Sequence, residues 1–275
     1  MAKAVKKEYS IRSRIYLIKS IRFRYPYLFM PVFFVPSKII NDKVLNIKGL
    51  LFQHLSKSLR MREGEELIVG DEARQRYHLR IESLSKTTLI GRIFKTEQGP
   101  PPTKASIILG QSILKGDHMK WAIQKATELG VSVIVPLLTN RVVVRLRAER
   151  VELLQERYAR IALDAAQQSE RWEVPQVLLP IPIQKFFEQY RLETIKCLLV
   201  ERGESQGLQT LPLDNKFSGT VVLTGGPEGG WTEQEQETAK QFDFISFSLG
   251  ASILRGETVP LAALSIIQSR LGNLG

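Results

Sequence analysis

The segment TEQGPPPTKAS, residues 96–106, divides the chain. Gly99 followed by three prolines makes a stiff, extended connector that neither a helix nor a central strand tolerates. Before it, VFFV, EELIVG, RYHLRIESL and TTLIGRIF read as short strands separated by polar turns. Closely spaced short strands predict a small β-barrel. His54, in LFQHLSKSLRM, is expected on a short helix.

After the connector the period changes. ASIILGQSIL reads as a strand, and Asp117 is expected to cap a helix through HMKWAIQKATEL that ends at Gly130. VSVIVPLL reads as a buried strand. A helix is expected over about residues 148–169, with Leu154, Tyr158, Ile161 and Ala165 at helical spacing, and a shorter one over QKFFEQY. TIKCLLV, TVVLTG and FDFISFSL complete the strands, and PLAALSIIQSRL reads as the last helix. Strands alternating with helices predict an α/β fold with a largely parallel sheet. With 275 residues and 43% hydrophobic composition, the chain can bury two cores.

Charge is unevenly spread. Residues 1–29 carry eight basic residues against Glu8, so they hold +7 of the net +11 and leave +4 for the rest. Three readings of this segment stand open: a basic arm for RNA, an organellar targeting segment, or an extension upstream of a start at Met30. No apolar run reaches the length of a membrane span. The single cysteine, Cys197, reads as a buried strand residue in a chain suited to a reducing compartment. His54, His78 and His118 lie far apart, so no zinc pattern is present and no metal is expected.

Two loops carry the chemistry. TGGPEGG, residues 224–230, leaves the strand TVVL and enters a helix that Thr232 and Glu235 announce by a capping-box pattern. The carboxyl end of a strand is where open α/β sheets bind ligands. The loop lacks the G-x-x-x-x-G-K-[ST] pattern and any lysine, which disfavours a triphosphate. It offers backbone groups and one carboxylate, Glu228, which suit a neutral or cationic ligand with an adenine edge. Read alone, it is either such a site or a plain turn. FSLGASILRGETVP leaves a second strand, turns at Gly250 and passes Arg255 and Glu257 before a helix with Thr258 as expected cap and Pro260 in the first turn. This segment reads as a surface ion pair with a cap or as the second half of a site.

VVLTGGPEGGWTEQE followed by SLGASILRGETVPLAALSII resembles the knot region of the SPOUT methyltransferases, most nearly the RsmE family. KGDHMKWAIQKATELGV, Thr139 with Arg141, DAAQQSERWEVP, HLSKSLRMREGEEL and MPVFFV are similar to further motifs of that family, so the resemblance runs from Met30 to the C-terminus. It implies a PUA-like RNA-binding β-barrel over residues 30–96, a linker over 97–104 and a SPOUT α/β domain with a C-terminal trefoil knot over 105–275. It implies an S-adenosylmethionine-dependent enzyme, homodimeric and cytoplasmic in a bacterium, that methylates uridine N3 in small-subunit (16S) ribosomal RNA, free or in the assembled subunit. Two rivals remain: a non-catalytic RNA-binding protein on this fold, and a methyltransferase with another RNA target.

By the same resemblance, Arg255 and Glu257 are the expected catalytic pair. Glu201, Leu223, Thr224, Gly225, Gly226, Pro227, Glu228, Gly229, Gly230, Leu249, Gly250, Ile253, Leu254 and Thr258 are expected to hold the cofactor. Arg60, Arg62, Arg141 and Arg171 are expected to meet RNA, with salt bridges as the other reading of Arg141 and Arg171. Trp121, Gln124, Lys125 and Glu128 read as one exposed helix face or a dimer seam. Ser252 and Val32 depart from the pattern, since each stands where the family commonly has arginine.

Overall fold

A computed structural model describes residues 31–41, 43–141, 150–201 and 205–274; the basic segment 1–29 lies outside them. The chain forms two compact units. One holds the described residues up to Gly70 with Arg76–Glu97, and the other holds Asp71–Gln75 and the residues from Gln98 onward.

In the first unit, β1 (Val32–Phe34), β2 (Ile40–Asn41), β3 (Val44–Lys48), β4 (Glu66–Gly70), β5 (Gln75–Leu84) and β6 (Thr88–Gln98) form a six-stranded sheet ordered β1-β4-β5-β6-β3-β2. β1 runs parallel to β4, whereas β4–β5 and β3–β6 are antiparallel. The period of two is visible in β3, where Leu45 and Ile47 are buried and Asn46 and Lys48 are exposed. These residues join Leu67, Val69, Leu79, Ile81 and Leu89 in one core. Helix α1 (Gly49–Gln53) runs on into a π-helical turn over His54–Ser58, which sends Leu55 into that core.

The second unit is built on a parallel sheet. Its strands are β7 (Ala105–Ser112), β8 (Val133–Leu138), β9 (Gln176–Val177), β10 (Ile181–Pro182), β11 (Ile195–Leu199), β12 (Gln206–Gly207), β13 (Gly219–Gly225) and β14 (Ile245–Ser248). Their order is β10-β8-β7-β13-β11-β14-β12, with β9 also pairing β8. β7 is buried at every position but Ser106, and β13 from Val221 onward, because both faces of these central strands are covered. Helices α2 (Asp117–Glu128), α3 (Val151–Gln168) and α6 (Thr258–Arg270) supply Met119, Tyr158, Ala162 and Leu264 to one core. Helices α4 (Ile183–Gln189) and α5 (Glu233–Gln241) supply Phe186, Phe187 and Ala239 to the other.

Close packing limits what the second core accepts. A Cβ on Gly110 would lie 2.6 Å from Cζ of Phe186, a fully buried ring. Gly110→Ala is therefore expected to cost ~1–3 kcal/mol by overpacking, read as a lower urea midpoint at unchanged slope.

Two local expectations differ. Gly116, not Asp117, is the N-cap of α2, and Asp117 makes no cap bond. Glu257, not Thr258, is the N-cap of α6. The amides of Thr258 and Val259 donate to the Arg255 carbonyl at 2.8 and 3.1 Å, and a cap at Thr258 would face Pro260 two residues on, which has no N–H. The two-residue strands β2, β9, β10 and β12 have too little sequence for any period to show.

Candidate active site

β13 lies at the middle of the sheet, with β7 on one side and β11 on the other. Its carboxyl end opens into the glycine loop, and the capping box fixes where that loop ends. Thr232 Oγ1 accepts from the amide of Glu235 at 3.2 Å, and Glu235 Oε2 accepts from the amide of Thr232 at 2.8 Å. Glu235 is 1% exposed, and its other oxygen accepts from the amide of Asn140 at 2.8 Å. One buried carboxylate thus caps its own helix and holds the loop after β8.

The glycines turn the chain where side chains would not fit. Gly230 has φ +67° and donates to the Pro227 carbonyl at 2.9 Å. The indole of Trp231 packs beside Gly226 and donates from Nε1 to the Leu199 carbonyl at 2.8 Å. Below the loop, the side chain of Gln111 is fully buried against Gly225, with Nε2 donating to Ser112 O at 3.1 Å.

The second loop, after β14, meets the first. A Cβ on Gly256 would lie 2.9 Å from Leu114 Cδ2 and 3.6 Å from the carbonyl oxygen of Gly226. Gly250, at φ +118°, turns with open space around it. Between the loops is a cleft of about 200 Å³. Of the residues expected to hold a cofactor, Glu201, Gly226, Pro227, Gly229, Gly230, Leu249, Gly250 and Leu254 line it. Arg141 lines it as well, and its Nη1 donates to the Gly229 carbonyl at 2.6 Å.

Other expected residues lie elsewhere. Leu223, Thr224 and Gly225 are buried beneath the cleft, where Thr224 Oγ1 donates to the Cys197 carbonyl at 2.6 Å. Glu228 does not line the cleft; its carboxylate accepts from the amide of Lys115 at 2.8 Å and so braces the loop between β7 and α2. Ile253 is 54% exposed outside the cleft. Arg255 is exposed and also outside it. Glu257 and Thr258 line a neighbouring hollow with Asp117, His118 and Trp121. The partner of Glu257 there is His118, whose Nδ1 lies 2.8 Å from Oε1, and not Arg255.

Arg60 and Arg62 are exposed in the first unit. Arg171 is turned inward. Its Nη1 donates to the carbonyls of Thr127 and Val131, both at 2.8 Å, where α2 ends. Burial, with the Arg74 guanidinium second, lowers its pKa to about 10. A guanidinium spent on two carbonyls is a structural cation, so the phosphate-holding reading of Arg171 is replaced.

Sequence reasoning did not single out Leu199, Val200, Trp231, Gln236, Gly256 or Val259, which also line the cleft. Gln236 had a signal, since it stands one helical turn beyond the cap Thr232 and so faces back toward the strand ends. Ser252, noted only as a departure, is a lining residue too. Among the described residues, no cluster of three His, Cys, Asp or Glu is placed to hold a metal, and no helix is long and apolar enough to cross a membrane.

Residues 101–268 match the RNA methyltransferase domain family, and residues 51–94 match the RNA methyltransferase PUA domain family. This chain belongs to the RsmE family of RNA methyltransferases. It is 30% identical over 236 residues to ribosomal RNA small subunit methyltransferase E of Bacillus subtilis, covering 84% of this chain and 92% of the relative. The Synechocystis RsmE is 32% identical over 239 residues, 86% of this chain and 76% of its own length. Among solved structures, the RsmE of Neisseria gonorrhoeae bound to S-adenosylmethionine superposes with a TM-score of 0.79 at 31% identity, over 87% of this chain and 97% of that one. A Legionella pneumophila protein solved with bound S-adenosylmethionine gives 0.82 at 28% identity, over 88% and 98%. The RsmE likeness covers both units, so the cleft between the two loops is this chain's candidate active site.

Proposed function

We propose that this chain methylates N3 of a uridine in small-subunit ribosomal RNA, with S-adenosylmethionine as donor. The observation that carries the reading is the cleft where the two loops meet at the carboxyl ends of β11, β13 and β14. It is walled by backbone from three glycines of the first loop, holds one exposed carboxylate, Glu201, and contains no lysine, while its guanidinium, Arg141, is committed to the Gly229 carbonyl. That donor set fits an adenosyl group at one end and a cationic amino-acid group at the other, and it does not fit a triphosphate.

The cofactor supplies an electrophilic methyl on a sulfonium. The protein must align the acceptor nitrogen and remove its proton. Alignment alone accounts for up to ~7–11 kcal/mol in such reactions. N3 gives its proton to Glu257 and uses the freed electron pair to bond the methyl carbon, whose former bonding pair stays on sulfur. The charge that develops on the two flanking carbonyls is met by Arg255. Gly226, Gly229, Gly230, Leu249 and Leu254 hold the adenosine by backbone groups.

In the same reading, the PUA domain is a barrel that grips the RNA with Arg60 and Arg62. β6 runs through Gln98, so the linker is 99–104 rather than 97–104; the C-terminal segment is threaded as a trefoil knot, and the molecule works as a homodimer in the bacterial cytoplasm. Ser252 favours a second reading, a protein that binds RNA without catalysis, because the cleft wall carries a hydroxyl where the family commonly has a cation.

The two readings separate in one experiment. Purified protein is titrated calorimetrically with S-adenosylmethionine and then incubated with unmethylated small subunits, and the nucleosides are analysed by mass spectrometry. Micromolar binding and new 3-methyluridine are expected. Absence of binding supports the non-catalytic reading, and methylation at another atom or in another RNA rejects the uridine assignment.

A further inference from the structure

Glu257 lies outside the cleft wall, and one side chain, His118, holds it. Its side chain is 12% exposed, whereas that of His118 is 47% exposed. A carboxylate has no proton to donate, so Nδ1 of His118 carries the hydrogen and donates to Oε1 across 2.8 Å. The two residues stand at the starts of different helices, His118 in the first turn of α2 and Glu257 at the N-cap of α6. The amide of His118 donates to Lys115 O at 3.2 Å, in the loop that Glu228 braces from the glycine loop. The backbone that carries the imidazole is therefore tied to the same framework that shapes the cleft. Together with Asp117, Trp121 and Thr258, the pair lines a hollow of about 270 Å³ through which Glu257 is reached from solvent.

We propose that His118 is a positioning residue for Glu257. Its Nδ1–H ties down Oε1, so the carboxylate keeps one orientation and Oε2 stays free for the proton leaving N3. This inference rests on the reading of Glu257 as the base. A glutamate with no such tie samples several rotamers, and a base displaced by a fraction of an ångström loses rate while cofactor binding is unaffected.

The test uses the full chain, small subunits and S-adenosylmethionine, with thermal midpoints checking that each variant folds. His118→Ala should lower kcat by about 10- to 100-fold and leave the KM for S-adenosylmethionine within about twofold. His118→Asn places an amide N–H where Nδ1 stands and should restore most of the rate. The double variant His118→Ala, Glu257→Gln should be no slower than Glu257→Gln alone, because the histidine acts only through the carboxylate. An unchanged kcat in His118→Ala beside a large loss in Glu257→Gln overturns the positioning role and leaves the base intact. So does a double variant whose loss is the product of the two single losses. Full turnover by Glu257→Gln rejects the base itself and the positioning role with it. If His118→Ala does not fold, His118→Asn carries the comparison: its failure to keep the rate at a native midpoint overturns the proposal.

Discussion

Arg255→Ala lowers kcat by on the order of 10²–10³-fold and leaves the affinity for S-adenosylmethionine within about twofold; this is the expected result of removing a cation that meets charge developing in the transition state. The structure supports the split between the two effects. Arg255 lies outside the cleft, so its removal takes no wall from the cofactor site. Its carbonyl, not its side chain, receives the first amides of α6, so alanine keeps the helix start. Its guanidinium makes no ion pair with Glu257, so the truncation leaves no orphaned carboxylate behind. Arg255→Lys should recover part of the rate, since charge remains while the planar donor fork is lost. Single-turnover methylation beside calorimetric titration reads both quantities. Parallel losses of affinity and rate would make Arg255 a cofactor-pocket or folding residue.

Glu235→Ala is expected to destabilise the second unit by ~1–3 kcal/mol, because it removes a buried carboxylate that accepts from two part-buried amides. For a unit of this size that is a fall in Tm on the order of 5 °C. The amides belong to Thr232 and Asn140, so the loss loosens both the glycine loop and the segment bearing Arg141. Cofactor affinity should fall with it. Glu235→Gln keeps the shape but offers only one accepting oxygen, and it should lie between wild type and alanine. Differential scanning calorimetry decides the point. A loss below about 1 kcal/mol would mean that water replaces the carboxylate at both amides.

Much of the second unit was legible because its signals are local. The capping box joins Thr232 to Glu235, three residues apart, so the pattern T-x-x-E is enough to find it. The glycine loop sits at a strand end because TVVL and the cap bound it on both sides. In the first unit, burial of alternate residues in β3 follows from the pleat alone. What escaped were elements too short to have a period and contacts between segments far apart in the chain. Glu228 reads as a ligand residue because its loop does; the amide that claims it, Lys115, belongs to another loop 113 residues earlier. Arg171 reads as a free cation until the carbonyls at the end of α2 arrive beside it. The pairing of Glu257 with His118 spans two helices that no motif connects.

The amino-acid sequence by itself determined the two-part organisation, the strand and helix types, the turns at the two loops and the family, since each depends on propensities and patterns that act within a few residues. Only the tertiary structure decided that β13 lies between β7 and β11, that the loops at Gly226 and Gly256 touch, and which carboxylate serves a cleft, a cap, a neighbouring amide or a histidine. The reason is that a carboxylate's role follows from the donor it reaches. Those donors are brought within hydrogen-bonding reach by strand order and by helices packing on both faces of one sheet, and neither of these is encoded in any single stretch of chain.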